Sequence, residues 1–336
     1  MADVDQTIGS LIEQCRDGNS RAMAQLISVA EGDGPSRGRL ARLLRAGAPR
    51  TIRVVGVTGP PGVGKSTVTE ALARTLRARG LRLGVLAVDP SSPLSGGALL
   101  GDRIRMRGLS GSVFVRSMAS RGQIGGLSLA VPLAVRILDV AGLDTVIVET
   151  VGVGQSEYEI ESVADTTLVL FAPGLGDGIQ AVKAGLVEMA DVFVVNKADR
   201  PGADQVARDL KAMQSLSRAH PAGDAWRPPI TLTTASTGDG IDQLLDVIDD
   251  HHEWLSRSGE WGARELRRAE NEIASIALAE LRDRVILGNA DSIRRYAGDV
   301  TSGAIDAYSA AMDLLGQATK EAARTTPHPP AGGKER

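Results

Sequence analysis

Gly59-Pro60-Pro61-Gly62-Val63-Gly64-Lys65-Ser66-Thr67 has the spacing G-x-x-x-x-G-K-[ST]. Residues of these types at this spacing can wrap phosphate. Glycines let backbone N–H groups turn inward, Lys65 neutralises the β- and γ-oxygens, and the Ser66 hydroxyl can ligate Mg²⁺. A second constellation, Asn196-Lys197-Ala198-Asp199, addresses the base. The Asp199 carboxylate can accept from the ring N–H and the exocyclic amino group of guanine, whereas adenine offers no donor at the matching ring nitrogen. Sites built on such a bond reject analogues lacking it by roughly 10⁴–10⁵. Lys197 can cover the base plane, and Asn196 can tie its loop to the phosphate loop. Thr234-Ala235-Ser236-Thr237 follows a later apolar run, so that a backbone N–H among Ala235, Ser236 and Thr237 can reach the guanine carbonyl.

Two further acidic positions close apolar runs between these motifs. Asp89 opens Asp89-Pro90-Ser91-Ser92-Pro93, and either holds an Mg²⁺-bound water, orients the attacking water, or merely initiates a turn. Glu149 opens Glu149-Thr150-Val151-Gly152, where a carboxylate can bind Mg²⁺ and the Gly152 N–H can meet the γ-phosphate. Gln155 lies three residues beyond Gly152, which argues against a water-positioning role. Asp102, in a glycine-rich stretch with Arg103, Arg105 and Arg107, is another magnesium-side candidate. Those arginines read equally as a solvated basic face. Water attacking a phosphoryl group is the chemistry expected.

These groups need a scaffold that brings the ends of several strands to one edge. Apolar, β-branched runs occur at 51–57, 81–88, 113–118, 145–149, 167–171, 192–195 and 230–234. Helix-length segments separate most of them. The expected class is α/β: a P-loop NTPase with a mainly parallel sheet flanked by helices. Lys65 to Arg79 reads as the helix whose N-terminus adds positive potential at the phosphates. Ahead of the sheet, Ile8, Leu11, Ile12 and Cys15, then Met23, Leu26 and Ile27, predict two short amphipathic helices broken at Asp17-Gly18-Asn19. Gly32-Asp33-Gly34-Pro35 reads as a loop. Past Gly259 strands stop; Trp261 to Ile286 and the Ile305–Leu315 pattern read as helices. The expected division is an N-terminal helical extension (1–48), a nucleotide domain (49–256), a C-terminal helical arm (257–322) and a disordered Pro/Gly-rich tail (323–336).

Composition removes other classes. The 336 residues are 43% hydrophobic and 24% charged with net charge −3, which gives no general attraction to nucleic acid or anionic membrane. No apolar run reaches a membrane span. A lone cysteine, Cys15, suits a reducing cytoplasm. His251-His252 reads as a surface helical pair rather than a metal site.

The phosphate loop, D-P-S-S-P, E-T-V-G-V-G-Q-S-E, the segment Ala172 to Gln180 and N-K-A-D together resemble the methylmalonyl-CoA mutase-associated GTPases. These are the MeaB or ArgK type of metallochaperone-like P-loop GTPase, and the likeness runs over roughly residues 5 to 320. The resemblance implies a magnesium-dependent GTPase that escorts adenosylcobalamin-dependent methylmalonyl-CoA mutase, or a related acyl-CoA mutase. Such a protein gates cofactor loading and protects or reactivates the mutase. It also implies a homodimer through the C-terminal helices. By motif it carries Lys65, Ser66, Asp89, Asp102 and Glu149 to phosphate and magnesium and Asp199 to guanine. Asp177, Gln180 and Lys183 fall in that family's additional switch loop, although a glycine-capped helix start reads the same way. A nickel-delivery GTPase of the same superfamily would be expected to carry a His- or Cys-rich segment, which is missing. An amino-acid transport kinase would need an acceptor pocket that no motif marks.

Overall fold

The computed structural model describes residues 2–32, 35–44, 51–89, 113–119, 129–150, 160–174, 187–216, 225–282, 285–286 and 289–325. Among these residues seven strands, β1 (Arg53–Thr58), β2 (Leu83–Asp89), β3 (Phe114–Ala119), β4 (Thr145–Thr150), β5 (Thr166–Phe171), β6 (Val192–Asn196) and β7 (Ile230–Thr233), form one sheet in the order β3-β2-β4-β1-β5-β6-β7. Every pairing is parallel. β1, β4, β5 and β6 are rich in Val, Ile, Leu and Phe because helices cover both faces, so alternation with polar residues is absent. All carboxyl ends therefore share one edge, and the loops after β1 and β6 meet there.

The helices are α1 (Ala2–Arg16), α2 (Ser20–Glu31), α3 (Pro35–Leu44), α4 (Lys65–Ala78), α5 (Ala130–Val140), α6 (Ala203–Leu216), α7 (Ile241–Ser258), α8 (Glu260–Arg282), α9 (Ala290–Thr301) and α10 (Ala307–Thr325). Ile12, Leu26, Ile27 and Leu40 from α1, α2 and α3 join Ile137 and Leu138 of α5 in one buried cluster with Val54, Val146 and Val148. The opposite face buries Val68 and Leu72 of α4 with Leu244 and Ile248 of α7 against Val55, Val57 and Ile147. The break between α1 and α2 is where the sequence puts it. Asn19 caps α2, its Oδ1 accepting from the N–H of Arg21 at 3.0 Å and of Ala22 at 3.2 Å. α3 is an addition to the two helices expected there, and it begins at Pro35, the residue whose fixed φ suits a first helical position.

The chain divides into two compact units, residues 1–272 and 273–336. Within the second, α9 packs on α10, and Gln317 Nε2 donates to the Tyr296 hydroxyl at 2.9 Å. Ile273, Leu278, Ile286, Tyr308 and Met312 are exposed there.

At the amino edge of the sheet, aspartates stand immediately before strands. Asp165 accepts from the Val54 N–H at 2.7 Å and Asp191 from the Thr167 N–H at 2.8 Å. Two arginines one turn apart on α8 then grip them. Arg264 makes a two-pronged pair with Asp191 at 2.7 and 3.0 Å, and Arg268 reaches Asp165 at 2.7 Å. His251 completes this network and corrects the surface-pair expectation. It is fully buried, its Nδ1 lies 2.8 Å from Thr166 Oγ1, its Nε2 lies 3.3 Å from Asp191, and its ring clusters with Trp226 and Trp254, which also touch each other. Among the described residues no group of three His, Cys, Asp or Glu could hold a metal.

Burial alone would raise the Asp191 carboxyl, but His251 and Arg264 against it lower its pKa from 3.8 to about 2. A carboxylate depressed on folding stabilises fully above its unfolded pKa and loses that contribution as pH falls through the folded one. The wild-type unfolding free energy from urea titrations is therefore expected to fall between pH 4 and pH 2 by on the order of 2 kcal/mol more than that of Asp191→Asn. Parallel curves for the two proteins would remove Asp191 from the acid response.

Candidate functional site

Three left-handed glycines shape the turn after β1: Gly59 at φ 139°, Gly62 at 81° and Gly64 at 95°. Two of them are also sterically required. A Cβ on Gly59 would stand 2.4 Å from the Leu170 carbonyl oxygen of β5, and one on Gly64 would stand 2.5 Å from Asn196 Nδ2. Any side chain at either position displaces the loop from its neighbours. Pro60, Pro61 and Gly62 form the rim, Pro61 and Gly62 exposed and Val63 fully buried beneath.

Lys65, the first residue of α4, is 7% exposed and curls back over the loop. Its Nζ donates to the carbonyls of Gly59 at 2.7 Å and Pro60 at 3.0 Å. An ammonium held at the N-terminus of a helix, amid inward-turned backbone, is built for an anion. Ser66 Oγ donates to Glu149 Oε1 at 2.5 Å, and Glu149 is 3% exposed at the end of β4. A hydroxyl and a carboxylate side by side are two hard oxygen donors, the set that suits a small divalent cation. Asp89 closes β2 one residue beyond Val88, which is in register with Thr150, so its backbone reaches the same edge. Thr67 is exposed on the first turn of α4. Asp102, Gly152, Asp177, Gln180 and Lys183 lie outside the described residues.

The base-reading motif follows β6 directly. Asn196 is 2% exposed and joins three elements: its Nδ2 donates to the Val63 carbonyl at 2.9 Å, and its Oδ1 accepts from Thr233 Oγ1 and from the Ala235 N–H, each at 3.2 Å. Lys197 takes φ 58°, unusual for a residue with a side chain, and its Nζ donates to the Gly62 carbonyl at 2.6 Å. Asp199, Ser236 and Thr237 are exposed. Thr237 Oγ1 donates to Asp239 at 2.6 Å, fixing the turn after β7. The structure thus brings the phosphate loop, Glu149, Asn196, Lys197 and Ala235 to one edge. It spends the Ala235 N–H on Asn196. Sequence reasoning missed Thr58, Thr150 and Thr233, whose hydroxyls tie the strand ends together; a threonine closing an apolar run was the signal for them.

The family model described as "Methylmalonyl Co-A mutase-associated GTPase MeaB" matches residues 23–290. A Pyrococcus horikoshii protein described as a GTPase is 43% identical over 92% of this chain and 98% of its own. The GTPase ArgK of Escherichia coli is 39% identical over 76% of this chain and 79% of its own. The mouse methylmalonic aciduria type A homolog, a mitochondrial protein, is 35% identical over 74% of this chain and 63% of its own. Among solved structures, that of an LAO/AO transport system kinase superposes with a TM-score of 0.67 at 29% identity, over 95% of this chain and 98% of its own. Among the described residues no helix is long and apolar enough to cross a membrane.

Proposed function

The chain belongs to the methylmalonyl-CoA mutase-associated GTPase family, and from that membership we propose a magnesium-dependent GTPase that serves as chaperone to adenosylcobalamin-dependent methylmalonyl-CoA mutase or a related acyl-CoA mutase. In this role GTP binding and hydrolysis gate cofactor loading and protect or reactivate the mutase. The observation that carries the nucleotide reading is Asn196, which bonds Val63, Thr233 and Ala235 at once. One side chain makes the phosphate loop and the base loop a single preorganised body, so a ligand recognised at one end is held at the other.

Lys65 and the loop amides hold the β- and γ-phosphates, and Asp199 reads guanine. Ser66 and Glu149, with Asp89 and Asp102, are the groups that hold Mg²⁺. The donor pair at 2.5 Å supports this assignment. When bound, the ion would supply neutralisation of the charge on the phosphates. The protein's own part is to position: Lys65 on the transferred group, Glu149 and Ser66 beside it, and Gly152 N–H toward the γ-phosphate. Asp177, Gln180 and Lys183 pass the nucleotide state to the client. The exposed apolar side chains of the second unit, Ile273, Leu278, Ile286, Tyr308 and Met312, support a homodimer formed by the C-terminal helices.

Unassisted GTPases turn over at about 10⁻⁴–10⁻² s⁻¹, and the purified protein is expected in that range. Adding the mutase should raise the rate, and immobilised mutase should retain the protein differently with a non-hydrolysable GTP analogue than with GDP. Equal retention in both states, together with an unaltered rate, would remove the chaperone role and leave a GTPase of another client.

A further inference from the structure

At the nucleotide edge a pair of buried hydroxyls joins the ends of β1 and β4. Their ladder ends at Val57 opposite Glu149. Beyond it Thr58 stays in register with Val169 of β5, while Thr150 stays in register with Val88 of β2. Thr58 and Thr150 thus stand at the next position of the β1–β4 register, immediately before Gly59 and immediately after Glu149. Between these two strand ends Thr150 Oγ1 donates to Thr58 Oγ1 at 2.9 Å, and both residues are fully buried.

Side chains alternate along a strand, so this bond lies on the opposite sheet face from the Ser66–Glu149 bond. The two bonds bracket the end of β1 and β4, one above and one below. Thr58 is joined directly to Gly59, and Thr150 directly to Glu149. Stability does not account for hydroxyls here. A buried hydrogen bond exchanged as a pair for apolar groups of the same shape is close to neutral, and valine at both positions would extend the apolar cluster of Val54, Val146 and Val148 that shares their face.

We propose that Thr58 and Thr150 are positioning residues for GTP hydrolysis: their mutual hydrogen bond sets the spacing between the phosphate loop and Glu149. The proposal rests on the reading of Ser66 and Glu149 as the phosphate end of the site. Neither threonine touches the nucleotide in this scheme. Misplacement of a reacting group by ~1 Å costs on the order of 10²-fold in rate, so a partial opening should slow turnover without loosening the grip on nucleotide.

The test compares Thr58→Val/Thr150→Val with Thr58→Ser/Thr150→Ser in single-turnover and steady-state GTP hydrolysis, GDP titration and thermal melts. The double valine variant is expected to lose about tenfold in kcat, ~1.4 kcal/mol of barrier, with KM, GDP affinity and melting temperature near wild type. The double serine variant, which restores both hydroxyls, should recover most of the rate. Each single valine variant should be as slow as the double, since the bond needs both partners. Wild-type kcat in the double valine variant would overturn the proposal, as would a loss of kcat that tracks melting temperature and is not rescued by serine. Glu149→Gln is the separate control on the underlying reading. An unchanged rate there removes that reading and the proposal with it. A slowed Glu149→Gln beside a fast double valine variant removes the proposal alone.

Discussion

Asp199→Asn is expected to weaken GDP and GTP by at least ~100-fold while leaving the fold and the phosphate loop unchanged. The carboxylate accepts from two adjacent guanine donors, and bonds to a charged partner contribute about 1.5–3 kcal/mol each. Asparagine keeps the size and one oxygen, but its amide N–H₂ then faces a donor. Structural damage is not expected, because Asp199 is exposed. Asn196 and Lys197 hold the loop through their own bonds to Val63 and Gly62. Titration calorimetry with GDP, GTP and ATP measures both halves of the claim. Wild type should prefer GTP over ATP by far more than tenfold, and the variant should lose most of that preference. ATP binding to wild type within about tenfold of GTP, a gap of only ~1.4 kcal/mol, would end the guanine assignment.

The sheet and the loop were legible because their signals are local. Val192-Phe193-Val194-Val195 is continuous and apolar, as a strand buried on both faces must be, and it forms β6. The glycines at 59, 62 and 64 announce a backbone that only glycine adopts, and all three are left-handed. What escaped notice depends on neighbours far along the chain. Helix α3 is basic and contains Gly38; Leu40 and Leu44 are its buried residues. Their packing against the α1, α2 and α5 cluster supplies what propensity does not. Helix α9 carries Ile293, Ala297 and Val300 at helical spacing but buries no residue, so its short stripe was present in the sequence and was passed over.

His251 shows a signal that was present but outvoted. Its acidic and basic neighbours suggest a surface. Yet Ile241, Leu244, Leu245, Ile248 and Leu255 mark one face of α7, and 251 falls on that stripe between Ile248 and Leu255. A polar residue on a buried stripe demands partners, and Thr166 and Asp191 supply them. The Thr58–Thr150 bond had no comparable signal. The residues are 92 positions apart, and only the placement of β4 beside β1 brings them together.

Lys65→Ala should reduce single-turnover hydrolysis by roughly 10²–10³, the scale seen when one preorganised electrostatic group is removed from a transition state. The larger share of the loss should fall on triphosphate. Charge develops on the transferred phosphoryl group and not on a bound diphosphate, so GDP affinity should fall less than the rate. The side chain has a second task in this structure. Its ammonium bonds the Gly59 and Pro60 carbonyls and keeps the loop closed on itself. Alanine removes ammonium and stem together, so Lys65→Met, which keeps the apolar stem, isolates the loss owed to the ammonium, and the split between GDP affinity and rate separates closure from charge. If closure were the main role, Lys65→Met and Lys65→Ala would lose GDP affinity as steeply as rate. If charge is the main role, both variants bind GDP measurably, both hydrolyse slowly, and raising GTP to saturation does not restore the rate. A rate for Lys65→Ala within about tenfold of wild type would show that the transferred phosphoryl group is not held by this lysine. The catalytic edge would then have to be sought elsewhere on the sheet.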